Sequence, residues 1–84
     1  MFGGLGIIEA DIHGMTKVKA LNHIDYVISK ASGSTYRVRV IHGFNSGTIL
    51  RNAVRSEYPK RNRNVLRVVN GRNPGETELV LKEY

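Results

Sequence analysis

Two short apolar stretches, each closed by the dipeptide His-Gly, restrict this chain more than any other feature. Ile7-Ile8-Glu9-Ala10-Asp11-Ile12 runs into His13-Gly14, and Tyr36-Arg37-Val38-Arg39-Val40-Ile41 runs into His42-Gly43. Both stretches are rich in β-branched residues and bounded by turn residues, the pattern of short strands. Between them, starting from Thr16 as N-cap, Val18, Leu21, Ile24, Ile28 and Ala31 recur at steps of three and four until Gly33, which predicts an amphipathic helix. A strand, a helix and a second strand of this length imply a right-handed crossover that leaves the two strands parallel.

The remainder repeats the alternation once. Ser46 or Thr48 can cap a helix carrying Ile49, Leu50, Ala53 and Val54, which should stop near Tyr58 because Pro59 disfavours helical geometry in the residue before it. Lys60 to Asn64 is a polar connector, Val65 to Val69 a third strand, Gly71 to Gly75 a turn, and Glu78 to Leu81 a final strand. The order β-α-β-α-β-β predicts a two-layer α/β sandwich with a mixed four-stranded sheet, the crossovers giving parallel pairs and the short turn an antiparallel one. A chain of 84 residues buries only about 60 to 65% of the surface its unfolded form exposes, so residues 1–84 are expected to make a single domain. The absence of cysteine removes disulfide frameworks and thiolate zinc sites. No apolar run approaches the roughly 18 residues of a membrane span, and Met1 to Gly6 lacks a basic leader, so the expected compartment is the cytoplasm.

Thirteen Lys and Arg against seven Asp and Glu give a net charge of +6, and the charge is unevenly placed. Residues 1–32 balance to zero, residues 33–72 carry nine cations against Glu57 alone, and residues 73–84 are net acidic. Eight of the nine central cations are arginine, whose guanidinium matches phosphate bidentately. The expected partner is a polyanion, with nucleic acid the commonest.

Side chains two apart on a strand share a face, so Asp11 and His13 should project together at the carboxyl end of the first strand. His42 ends the second. If the strands are parallel neighbours, both imidazoles and the carboxylate reach the sheet edge where open α/β sheets commonly bind ligands. The loop Gly43-Phe44-Asn45-Ser46-Gly47-Thr48 leads from that edge into the second helix, and its glycines permit a backbone that turns several amides towards one anion at the helix N-terminus. It lacks the Gly-Lys-Ser/Thr ending of a nucleotide-hydrolysing loop. Gly14, Lys17 and Lys19 open the first helix beside it, and Arg51 and Arg55, four apart, would extend the basic track. Phe44 is either a platform for a stacked base or a packed loop residue; the tyrosines read as packing residues.

At Ala10-Asp11-Ile12-His13-Gly14 and at Ile41-His42-Gly43-Phe44-Asn45-Ser46-Gly47-Thr48 the chain resembles the Smr (small MutS-related) domain family. The first segment is similar to that family's Leu-Asp-x-His motif with Ala10 in the leucine place, the second to its His-Gly-x-Gly motif with Asn45 where the second glycine stands. Gly75-Glu76-Thr77-Glu78-Leu79-Val80 is similar to its glycine-rich Gly-Ala-Thr-x-Val segment. The resemblance implies a fold like the C-terminal domain of translation initiation factor three, nucleic-acid binding, and DNA-nicking or RNA-cleaving activity in some members.

Two classes of function follow as expectations. As an endonuclease, the chain would use His13 and His42 as general acid and base with Asp11 orienting one imidazole, since imidazole titrates near neutral pH. Alternatively, Asp11, His13 and His42 would hold Mg²⁺, Mn²⁺ or Zn²⁺. As a binding module without chemistry, it would hold RNA or DNA, for instance at the ribosome, through Gly14, Lys17, Lys19, Gly43, Phe44, Asn45, Ser46, Gly47, Thr48, Arg51 and Arg55. A small-molecule phosphate site on the same loop is a third reading.

Overall fold

Alternation of side chains sets the sheet. The computed structural model describes residues 6–44 and 48–83. Met1 to Leu5, Tyr84 and the loop residues Asn45, Ser46 and Gly47, with the expectations placed on them, lie outside the described residues. The order is β1 (Ile7–Asp11), α1 (Lys17–Ser29), β2 (Arg37–Ile41), α2 (Thr48–Glu57), β3 (Arg67–Asn70) and β4 (Glu76–Val80). The strands form one mixed sheet in the order β1-β2-β4-β3, with β1 and β2 parallel and β4 antiparallel to both its neighbours.

One face of the sheet carries Ile8 and Ala10 of β1, Val38 and Val40 of β2, and Thr77 and Leu79 of β4, in register across three strands. Both helices cover that face. Ala20, Leu21, Ile24, Val27 and Ile28 of α1 and Leu50 and Val54 of α2 close the core with Tyr58 and Val65. Burying an aliphatic side chain of this size stabilises the fold by roughly 1.5 to 3 kcal/mol. Of the apolar positions read along this helix, Leu21, Ile24 and Ile28 make those contacts, whereas Val18 is exposed and Ala31 lies beyond the last turn. Thr16 caps α1 as expected, its hydroxyl accepting from the Lys19 amide at 3.4 Å.

The helix-free face is charged and paired. Arg37 donates to Glu78 at 2.6 Å, Arg39 bridges Glu78 at 3.2 Å and Glu9 at 3.5 Å, and Arg72 clasps Glu76. Arg61 ties the connector after α2 to Asp25 of α1 at 2.8 Å, where Tyr58 also donates at 2.6 Å, and Arg67 meets Glu83. Among the described residues, carboxylates therefore neutralise five of the eight arginines expected to face a polyanion.

Two expectations are corrected. Only the first crossover gives a parallel pair; after the second, β4 lies between β2 and β3, so β3 runs parallel to β2 one strand removed. All five residues of β4 are buried, whereas β3 exposes Arg67 and Asn70 at its ends, and the strand that exposes polar side chains takes the edge. The final strand begins at Glu76 rather than Glu78, because Glu76 pairs with Ile41 and its carboxylate is matched by Arg72 and Arg39. Among the described residues no helix is long and apolar enough to cross a membrane.

Candidate functional site

Beyond Asp11 the first strand keeps its alternation for two more residues, because the Ile12 amide bonds the Ile41 carbonyl at 2.9 Å. Ile12 is therefore buried, and Asp11 and His13 emerge on the helix-free face. Asp11 Oδ1 accepts twice from His13, once from its amide at 3.2 Å and once from the ring at Nδ1. The carboxylate thus fixes the tautomer with the proton on Nδ1 and leaves the lone pair on Nε2. Nε2 has no partner among the described residues, and the two side chains are 70% and 52% exposed. Gly14 takes a positive φ of 77°, which turns the chain towards α1.

His42 occupies the other side. Ile41 is the register partner of Asp11, so His42 falls on the helix-covered face with Val40, where it is only 2% exposed. Its Nδ1–H donates to the Gly43 carbonyl at 3.1 Å, and its Nε2 accepts from the Thr77 hydroxyl at 2.9 Å. Burial holds its pKa below the ordinary histidine range; the Gly43 carbonyl opposes that, and the nearby charges of Arg51 and Arg55 reinforce it. The imidazole is a neutral, saturated hydrogen-bonding post. The expected notch shared by both imidazoles and Asp11 does not form, since the side chains of successive strand positions point to opposite faces.

In front of this post lies a cleft of about 510 Å³ lined by Gly43, Phe44, Thr48, Arg51, Arg55, Asn70, Gly71, Asn73, Pro74 and Glu76. The loop after β2, the first turns of α2 and the β3–β4 turn build its walls. Gly43 adopts a φ of 88°, a conformation that favours glycine, and the amides of His42 and Gly43 both donate to the Gly75 carbonyl at 3.0 Å. These two amides are spent on a carbonyl of the same chain, and the loop residues Asn45 to Gly47, whose amides were expected to face an anion, lie outside the described residues. Phe44 is 61% exposed, and one edge of its ring lies against Gly75, where an added Cβ would come within 3.2 Å. It is packed and available at once.

The two regions meet at Gly43. A Cβ placed there would stand 3.9 Å from His13 Cβ, while the same residue lines the cleft. Arg51 and Arg55 have no carboxylate partner among the described residues, and Arg55 instead donates to Asn70 at 2.7 Å. The other expected contacts fall outside the cleft: Lys17 reaches Glu57 at the far end of α2, Lys19 is exposed on α1, and Gly14 turns the loop behind His13. Asn70, Asn73 and Thr77 were not singled out from sequence. The short turn from Gly71 to Gly75 returns Asn70 and Asn73 beside the loop after β2.

Asp11, His13 and His42 do not combine as a metal site, because His42 is sealed on the opposite face with both ring nitrogens engaged. Among the described residues no three His, Cys, Asp or Glu side chains lie close enough to hold an ion.

No curated protein sequence matches this chain. Its fold is similar to the solved Smr domain of Thermus thermophilus MutS2, with 27% identity and a TM-score of 0.74 over 89% of this chain and 98% of that one. The Smr domain family model matches residues 10–78, from the residue before Asp11 to the third residue of β4. With both histidine motifs inside that span and the same architecture around them, the chain belongs to the Smr domain family.

Proposed function

We propose that this domain binds single-stranded RNA across the edge formed by β1 and β2, and cleaves it by using the RNA's own 2′-hydroxyl. Smr domains generally bind nucleic acid, and some of the family cut it. The observation that carries the reading is the contiguity at Gly43: a phosphate paired with Arg51 in the cleft belongs to a strand that next passes the exposed Asp11–His13 pair. Guanidinium groups are suited to hold the phosphate, and the open side of Phe44 is suited to stack a base.

His13 Nε2 takes the proton of the 2′-hydroxyl, and the 2′-oxygen attacks phosphorus. The bond from phosphorus to the 5′-oxygen breaks, leaving a 2′,3′-cyclic phosphate, and the departing oxygen takes its proton from solvent. Asp11 orients the ring and stabilises the imidazolium that forms. His42 touches no substrate; it supports the loop that carries Gly43 and Phe44. DNA lacks the 2′-hydroxyl and is bound without being cut.

The test incubates the purified protein with end-labelled single- and double-stranded RNA and DNA, with and without EDTA, beside His13→Ala. The reading expects EDTA-insensitive cleavage of RNA with cyclic phosphate ends, abolished in His13→Ala with binding retained. Identical products from wild type and variant would overturn the chemistry, and binding without any cut would make the domain a binding module only.

A further inference from the structure

Among the described residues, the side-chain hydrogen-bonding groups left unspent in the cleft are, Thr48 apart, all donors. Asn73 Oδ1 accepts from the Gly75 amide at 2.9 Å, and Asn70 Oδ1 accepts from Arg55 Nη2 at 2.7 Å. Both partners are donors, so the assignment of oxygen and nitrogen in each amide is forced, and each NH₂ group is left over. The Nε–H of Arg55 is buried with no partner among the described residues, and the Arg51 guanidinium makes no hydrogen bond there. The one carboxylate in the wall, Glu76, is spent on Arg72: Oε1 accepts from its amide and Nε, Oε2 from Nη2. Among the described side chains of the wall, only the Thr48 hydroxyl can act in either sense.

A phosphate alone would leave most of 510 Å³ empty, and the exposed ring of Phe44 offers a flat apolar face that no phosphate uses. A base stacked there meets a wall of donors. Stacking is tolerant of base identity, so discrimination falls on the edge of the base. Guanine presents two adjacent acceptors, O6 and N7; adenine presents N7 beside a 6-amino donor, which would face other donors and lose its partner. Resting on the reading of this cleft as the RNA site, we infer that it selects guanine over adenine.

The experiment measures binding of an 11-nucleotide oligoadenylate RNA and of the same oligomer with guanine, or inosine, at its centre. The guanine and inosine oligomers bind roughly tenfold more tightly than oligoadenylate, inosine because it keeps O6 and N7. Asn73→Asp keeps an oxygen for the Gly75 amide and replaces the unspent donor by an acceptor, so the guanine-to-adenine ratio falls or inverts even if overall affinity drops. Equal affinities for the three oligomers in the wild type would overturn the selection while leaving RNA binding intact. Failure of all three to bind would overturn both readings, and a ratio unchanged in Asn73→Asp would remove the donor wall as its cause.

Discussion

The burial of His42 has a consequence for stability that is measurable without any ligand. In the fold its imidazole is neutral, donating to the Gly43 carbonyl and accepting from Thr77, and burial lowers its pKa. In the unfolded chain the same group titrates near 6.5. Below that pH the unfolded state binds a proton that the folded state refuses, so stability falls with acidification. The slope approaches about 1.4 kcal/mol per pH unit until the folded pKa is crossed, and above about pH 7 the contribution is constant. By pH 5.5 the loss reaches up to about 1.4 kcal/mol, equivalent to a fall in Tm of roughly 5 to 10 °C for a domain of this size. Glu76 adds a separate loss at lower pH. Its carboxyl is held below the ordinary range chiefly by hydrogen bonds from Arg72, so its contribution disappears only as pH falls beneath about 4.3. Urea unfolding of wild type and His42→Asn at pH 7.5, 6.5 and 5.5 isolates the effect, since His13 and His23 are common to both proteins. The variant is less stable at pH 7.5, and the gap between the two narrows on acidification. A gap that is constant, or that widens as pH falls, would show that the imidazole accepts a proton readily in the fold and would refute its burial as a neutral post.

Thr77→Val removes the donor to His42 Nε2 and leaves a buried acceptor unsatisfied, which should cost about 1 to 3 kcal/mol in urea unfolding with the far-ultraviolet spectrum unchanged. Glu78→Ala leaves Arg37 without its carboxylate and removes the closest of the three partners of the largely buried Arg39 among the described residues, and should cost about 1 to 3 kcal/mol, whereas Arg67→Ala at the exposed Glu83 pair should cost under about 1 kcal/mol. Gly43→Ala forces a side chain into the left-handed region at φ 88° and should lower stability by about 1 to 2 kcal/mol, seen as a shift in the denaturation midpoint. Arg51→Ala and Arg55→Ala should each reduce the slope of log binding constant against log salt by about one, whereas Arg37→Ala should leave it unchanged.

Strand and helix identity was legible because the periods were clean. The β-branched runs before His13 and His42 and the spacing of Leu21, Ile24 and Ile28 are direct imprints of a sheet with one covered face and an amphipathic helix, while Val18, read into the same stripe, is exposed. Strand order was not legible, because the pairing of β2 with β4 depends on Glu76 and Glu78 meeting Arg39 and Arg37, and isolated charges in a short segment resemble a turn. The site was half legible. Asp11 and His13 share a face by simple parity, and the same parity applied to the register of Asp11 with Ile41 puts His42 on the other face, a register no single sequence discloses. The central arginine excess overstated the available charge for the same reason: carboxylates distant in sequence pair with Arg37, Arg39, Arg61 and Arg67 across the fold. Asn70 and Asn73 gain their importance only from the hairpin that returns them to the loop after β2.

The proposed path of RNA across Gly43, between an imidazole and two guanidinium groups, is most directly tested by nuclear magnetic resonance. Titrating an unlabelled 11-nucleotide RNA into ¹⁵N- and ¹³C-labelled protein should shift the His13 ring, the amides of Gly43, Phe44 and Asn73 and the side chains of Arg51 and Arg55, while Arg37, Glu9 and Glu78 on the paired face stay in place. Shifts concentrated on that paired face or on the outer side of α1, with His13 and Arg51 unmoved, would contradict the account.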